Sequence, residues 1–283
     1  MIKQWLEEYH PKNQKEAELG LREIMQEIAL AGLQRNGFFE KAAFYGGTAL
    51  RVFYGLDRAS EDLDFSLLEV DPNFSLQSYL QGIVKEFDAL GMKVSIKEKI
   101  KTNQTNIDSA FLKSDTVWKE LVLEDIIPQA GLEIRPSIKI KLEVDTDPPL
   151  GFETEEKLLL KPFSFYVKCF KLTDSFAGKM HALLFRKWKQ RVKGRDWYDM
   201  EWYIKRKVPL NLNHLLVRAH DSGDWKDKNI TKDQFMQLLE DKITSISFKI
   251  VRDDVTRFIQ NDKDLDIWST DYFKDLVEKI TFT

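Results

Sequence analysis

Two periods of apolar and polar positions run along this chain, and the switch between them divides it. Residues 16–36 carry Leu19, Ile24, Ile28, Leu30 and Leu33 at near-helical spacing, and Gly37 follows as a stop. Ala42 to Tyr45 is a short apolar run suited to a buried strand. A second helix, with Leu50, Val52 and Phe53 on its buried side, leads to a strand around Leu63 and Phe65. Residues 75–90 read as an amphipathic helix capped by Ser75 and ended by Gly91. Residues 92–100 and 106–112 then alternate as strands, whereas Trp118 to Leu123 fits a strand or a short helix equally well. The clearest strand is Ser137 to Asp145, with Ile138, Ile140, Leu142 and Val144 on one face, Lys139, Lys141, Glu143 and Asp145 on the other, and Pro148 and Pro149 to stop it. An acidic loop from residue 153 runs into an edge strand containing Cys169. Thr173 or Asp174 caps the next helix, whose apolar stripe is Ala177, Met180, Leu183 and Leu184. Beyond Lys207 the periodicity is helical, with caps expected at Thr231 and at Ser269-Thr270. The fold class is therefore α/β (α+β): a mixed-sheet lobe over residues 1–170, then a mainly helical lobe over 171–283, with a soft boundary between 150 and 175.

One stretch of this pattern carries chemistry. Gly46 and Gly47 follow a strand and open a helix, so the backbone there can turn tightly and approach a ligand. Thr48 is placed to cap that helix, whose N-terminal N–H groups and dipole favour an anion. Asp62 and Asp64 flank Leu63, so on a strand the two carboxylates share one face and Leu63 and Phe65 the other. Paired acids repel and resist desolvation, and a divalent cation relieves both; hard oxygen ligands select Mg²⁺ or Mn²⁺. An anion cradle beside metal-binding acids is the equipment of phosphoryl or nucleotidyl transfer. A third acid on the Ser137–Asp145 strand would complete the set, Glu143 first and Asp145 second, because Glu143 lies further inside the strand. Arg58, just ahead of the acids, is placed to meet a phosphate; a salt bridge to Asp57 or Glu61 competes with that role.

Composition narrows the classes. Of 283 residues, 43% are apolar and 31% charged, ordinary for a globular protein with a solvated surface. No apolar run is long enough to span a membrane and the N-terminus does not read as a signal peptide, so a cytoplasmic location without membrane contact is expected. The single cysteine, Cys169, excludes an internal disulfide and reads as a buried hydrophobe. The net charge of −3 hides an asymmetry: from Lys179 to Lys207 there are ten Lys and Arg against three acids. Trp188, Trp197, Tyr198, Trp202 and Tyr203 interleave with these bases, mostly as helix–helix packing. The basic cluster points to nucleic acid, and Lys187, Lys189, Arg191, Lys193 and Arg195 are its candidate contacts.

Gly46-Gly47-Thr48 followed by Ser60-Glu61-Asp62-Leu63-Asp64-Phe65-Ser66 resembles the first motif of the AbiEii/AbiGii-type nucleotidyltransferase toxins, within the DNA polymerase β-like superfamily. The stretch SFAGKMHALLFR (175–186) and then KGRDWYD (193–199) resembles that family's second and third motifs, so the likeness covers roughly residues 20 to 206. It implies a nucleotidyltransferase-like first lobe and a nucleotide site of Gly46, Gly47, Thr48, Arg58, Ser60 and Lys179. Asp62, Asp64, Lys179 and Asp196 would be catalytic, and Asp62, Asp64 and Glu143 would hold the metal. Asp196 would orient Lys179 or help deprotonate the acceptor; Asp199, one turn on, reads as a surface acid beside Arg195, and His181 as structural. The implied activity is Mg²⁺-dependent transfer from an NTP to an RNA acceptor, tRNA foremost. The implied setting is a type IV toxin–antitoxin system with a separately encoded antitoxin. Transfer onto a protein hydroxyl and a non-catalytic nucleotide-binding module are the alternatives.

Overall fold

The computed structural model describes residues 1–97, 116–123, 138–186 and 192–283, with backbone alone for 116–123. The chain divides into two units: Met1–Tyr54, Glu61–Pro148 and Thr154–Cys169 form the first, and Gly55–Ser60, Pro149–Glu153 and Phe170–Thr283 the second. The strand expected at 106–112 lies outside the described residues.

In the first unit, helices α1 (Ile2–Glu8) and α2 (Gln14–Arg35) precede strand β1 (Ala42–Tyr45), helix α3 (Gly46–Tyr54) and strand β2 (Leu63–Leu67). Helix α4 (Gln77–Ala89) and strands β3 (Val94–Lys97), β4 (Thr116–Leu123), β5 (Ile138–Asp145), β6 (Thr154–Leu159) and β7 (Phe165–Phe170) complete it. Asn13 caps α2 by accepting from Glu16 N, and Gly37 leaves the helix in the left-handed region, as its position predicts. Residues 116–123 are a strand. Ser75 is not the cap of α4, which starts two residues later; its hydroxyl instead accepts from Gln77 N at 3.3 Å.

Among the described residues the strand order is β3-β4-β5-β2-β1-β7-β6. Parallel pairings β2–β5 and β1–β7 sit beside antiparallel β1–β2, β4–β5 and β3–β4, so the sheet is mixed. The strand of Cys169 is not an edge: β7 lies between β1 and β6, and the acidic stretch 154–159, expected as a loop, is the outer strand. Cys169 projects into the buried apolar core, and burial holds its thiol far above the usual range.

One face of the sheet is apolar. Phe44, Leu63, Phe65, Leu142 and Val144 are all at most 1% exposed and join one core with Leu21, Ile24, Met25 and Ile28 of α2 and Ile83 and Phe87 of α4. Helices α2 and α4 approach closely because Gly32 meets the Ile83 backbone; a Cβ there would lie 2.5 Å from the Ile83 Cα. Since neighbouring residues on a strand point to opposite faces, this burial sends Asp64 and Glu143 to the other side.

The second unit is built on helices α5 (Leu172–Phe185), α6 (Gly194–Lys205), α7 (Leu212–Asp221), α8 (Lys232–Ser245), α9 (Phe248–Val255) and α10 (Thr270–Val277). Thr231 and Gln234 form a reciprocal capping box on α8, and Ser269 caps α10. Neither Thr173 nor Asp174 caps α5: Asp174 is buried in the first turn, where it accepts from Glu153 N (2.9 Å) and Asn211 Nδ2 (2.6 Å). Trp197 meets Phe248 and Phe273 edge-on, both at 5.2 Å, and Tyr203 stacks on Phe176 at 4.5 Å, so these aromatics form the unit's core. Trp188 lies outside the described residues.

Candidate active site

The first unit builds its site at the strand–turn–helix β1-α3. Gly46 has φ +81°, a left-handed conformation that a residue with a Cβ resists. A Cβ on Gly46 would also lie 2.6 Å from Asp64 Oδ2, so the space against that carboxylate exists because the residue is glycine. Tyr45, immediately before, is the register partner of Asp64 on β1. Thr48 is not the helix cap: α3 starts at Gly46, and Thr48 sits fully buried in the first turn with its hydroxyl donating to the Asp62 carbonyl. That bond ties the turn to the start of β2 and sets the backbone that carries both aspartates.

Across the sheet, parallel pairing places Glu143 opposite Asp64 and Asp145 opposite Ser66. Register thus separates the two candidates for a third acid: Glu143 stands beside Asp64, and Asp145 lies two residues further along the same face. The Glu143 carboxylate also accepts from the Lys141 ammonium on its own strand. Among the described residues no three His, Cys, Asp or Glu side chains gather tightly enough to hold a metal by themselves. The donors are nevertheless hard oxygens, and Asp64 is only part-buried beside the glycine turn. This chemistry fits Mg²⁺, which is commonly bound by one or two carboxylates and completes its shell with water and substrate phosphates.

The second unit holds a buried cluster of two acids and two bases. Lys179 on α5 donates to Asp196 Oδ1 and to Asp199 Oδ2, both at 2.8 Å, from α6. Residues three apart on a helix are neighbours on its surface, so one ammonium reaches both carboxylates. Asp199 is not a surface acid beside Arg195. It is 0% exposed and is gripped by both arms of Arg58, Nε to Oδ1 at 2.5 Å and Nη2 to Oδ2 at 2.7 Å. Arg58 donates its remaining nitrogen, Nη1, to the Ala59 carbonyl at 2.9 Å and is itself 2% exposed. Its fork is spent on Asp199 rather than on Asp57 or Glu61; Asp57 instead accepts from the Tyr198 hydroxyl. Ser60 is half-buried at the end of the same segment.

Charge in this cluster is mutually fixed. Burial raises the Asp196 carboxyl, but the ammoniums of Lys179 and Lys193 and the Arg186 guanidinium override it and hold the group well below the usual carboxylate range. For Lys179, burial opposes the charge, yet Asp196 and Asp199 more than offset it and keep the amine protonated. Lys193 is pulled down to about 8, chiefly by burial. Of the basic stretch, Lys187, Lys189 and Arg191 lie outside the described residues, while Arg195 stacks its guanidinium 4.2 Å above the Phe258 ring. Gly194 is a packing residue, where a Cβ would lie 2.2 Å from the Val251 carbonyl. His181, on α5, is held by Ser222 (2.9 Å) and Asp224 (3.4 Å) and is structural.

The role of Asp199, and of Arg58 as its partner, escaped sequence reasoning. Both residues are ordinary in their local context, and their partnership spans 141 residues of sequence.

A mixed sheet carrying Asp64 against a glycine turn, with Asp62 one residue ahead of the strand, and a helical unit with a carboxylate-held lysine fit a nucleotidyltransferase architecture. The chain is similar in fold to MenT4, a nucleotidyltransferase toxin of Mycobacterium tuberculosis H37Rv, with a TM-score of 0.57 and 15% identity over 98% of this chain and 87% of that one. JHP933 of Helicobacter pylori (TM-score 0.46, 18% identity, 91% of this chain and 85% of that one) also matches. So does a putative H. pylori nucleotidyltransferase (0.45, 16%, 90% and 92%). No curated protein matches the sequence. The pattern of the nucleotidyl transferase AbiEii toxins of type IV toxin–antitoxin systems matches residues 28–278. The chain belongs to that family and is a nucleotidyltransferase of the toxin class.

Proposed function

We propose that this toxin transfers a nucleotidyl group from an NTP to a hydroxyl of RNA, with tRNA as the acceptor, and that the reaction requires Mg²⁺ or Mn²⁺. The observation that carries the reading is Asp64 seated against the Gly46 turn, with Glu143 as its register neighbour on β5. Asp62 and Asp64, with Glu143 alongside, would hold the cation, which when bound neutralises phosphate oxygens and polarises the transferring group. Gly46, Gly47, Thr48 and Ser60 belong to the nucleotide site: the glycines let the backbone approach the phosphates, and Thr48 braces the turn. Lys179 supplies a protonated ammonium to the nucleotide. Asp196 orients Lys179, because a carboxyl held so far below neutrality by its ion pair is a poor proton acceptor. The acceptor oxygen bonds to the α-phosphorus, its proton leaves to solvent, and pyrophosphate departs.

The basic stretch Lys187, Lys189, Arg191, Lys193 and Arg195 supports RNA as acceptor, and both substrates are cytoplasmic molecules. Family membership supports a separately encoded antitoxin. Among the described residues no helix is long and apolar enough to cross a membrane.

The test is incubation with each labelled NTP, with and without Mg²⁺ or Mn²⁺, against total tRNA and against protein. Label should enter tRNA only with the cation, and Asp62→Ala or Asp64→Ala should abolish it without unfolding the chain. Label entering protein alone would replace the acceptor, and an active Asp64→Ala would remove the metal site.

A further inference from the structure

The proposed function leaves Arg58 and Asp199 without a part, although together they form an ion pair whose side chains are 3% and 0% exposed. Each feature of the pair points towards Lys179. Arg58 grips both oxygens of Asp199, which fixes the carboxylate plane as a single contact could not. The oxygen nearer Arg58 Nη2, Oδ2, is the one that accepts Lys179. Asp196, a turn earlier, supplies the second acceptor. The ammonium is thus seated by two fixed oxygens, and one of them is fixed by an arginine 141 residues away in sequence.

We propose that Arg58 and Asp199 are positioning residues for Lys179: Arg58 orients the Asp199 carboxylate, and that carboxylate sets where the Lys179 ammonium stands and keeps it charged. The inference rests on the reading that Lys179 serves the nucleotide. A purely structural pair would brace the helices and leave the lysine's properties alone.

Charge balance makes the two roles separable. The groups around Lys179 are Asp196 and Asp199 from α6, Lys193 immediately before that helix, and Arg58 from the segment Gly55–Ser60. Two cations meet two carboxylates at the centre. Asp199→Asn keeps the shape but leaves Arg58⁺ facing Lys179 with one anion fewer, so the lysine loses its proton more readily. Arg58→Lys keeps the charge but has no fork, so the carboxylate is held at one point.

The experiment measures Mg-NTP affinity by calorimetry and nucleotidyl transfer from pH 6 to pH 10, for the parent, Lys179→Ala, Asp199→Asn and Arg58→Lys. In Lys179→Ala, NTP affinity should fall at least tenfold; parental affinity there would overturn the reading of Lys179 itself. Given that fall, Asp199→Asn should bring an alkaline limb of kcat/KM into the measured range, where the parent, its ammonium held charged above the ordinary lysine value, stays flat. Arg58→Lys should raise KM for the NTP more than it lowers kcat, with no alkaline limb gained. An Asp199→Asn profile parallel to the parent's, with equal NTP affinity, overturns the proposal while leaving Lys179 intact. Should Asp199→Asn fail to fold, the pair Arg58→Met with Asp199→Met removes both charges together. A tenfold loss of NTP affinity in the folded double variant then supports positioning, and parental affinity overturns it.

Discussion

Replacing Gly46 by alanine is the sharpest probe of the site, because two separate costs can be worked out from the backbone. The φ of +81° puts any Cβ-bearing residue in the left-handed region, which costs roughly 1–2 kcal/mol. The second cost is local: the new Cβ would lie 2.6 Å from Asp64 Oδ2 and 3.3 Å from both Cβ and Cγ of the same side chain. Rotating the carboxylate cannot relieve a contact that includes its own Cβ, so Asp64 must shift, by somewhat under about 1 Å to restore ordinary contact, and a displacement of that size near the chemistry costs about 10²-fold in rate. Gly91→Ala is the control, since its φ of +73° carries the same backbone cost while nothing lies within 4 Å of the added Cβ. Single-turnover transfer and the melting temperature would be measured on both. Both variants should melt a few degrees lower, at roughly 2–4 °C per kcal/mol for a chain of this size, but only Gly46→Ala should lose activity. Gly46→Ala turning over within threefold of Gly91→Ala would refute the argument that the glycine exists to clear Asp64.

Three further outcomes are expected. Asp64→Asn, which keeps the volume and removes the charge, should abolish transfer while leaving the melting temperature within a degree or two or raising it; a marked destabilisation would mean that the carboxylate is there for structure. Reversing the charges at Lys187, Lys189 and Arg191 should weaken RNA binding and flatten its dependence on salt, by about one unit of log–log slope per lost phosphate contact; an unaltered slope would move the acceptor elsewhere. His214 gives a pH signature. Burial, then Arg218 and His181, pull its imidazole down to about 3, so the folded state binds the neutral ring while the unfolded chain titrates near the ordinary value. Stability is therefore complete above about pH 6.5 and falls as pH drops towards 3, by on the order of 2–3 kcal/mol at pH 4.5. His214→Leu should lose that part of the slope in urea unfolding, and a slope parallel to the parent's would contradict it.

The glycine turn, the strand that carries Asp64, the strand 138–145 and the caps at Thr231 and Ser269 are legible in the sequence, because each depends on neighbours two to four residues away. Thr48 was misread as a cap because the start of α3 is set by the left-handed Gly46, two residues earlier. The strand of Cys169 passed for an edge because the acidic, half-exposed β6 outside it has no core-facing run to announce it. Asp199 passed for a surface acid, since i,i+4 spacing to Arg195 is a local cue and its real partner is remote in sequence.

What this sequence determined alone is therefore local: which segments are helices and strands, which face of β2 carries Asp64, and where the backbone must turn. The tertiary structure decided the pairings. Strand register set Glu143 beside Asp64 and Asp145 beside Ser66, and only folding could bring Arg58 to Asp199 across 141 residues. The physical reason is that periodicity encodes the direction of a side chain relative to its own backbone, whereas the identity of the group it meets depends on how distant segments are packed.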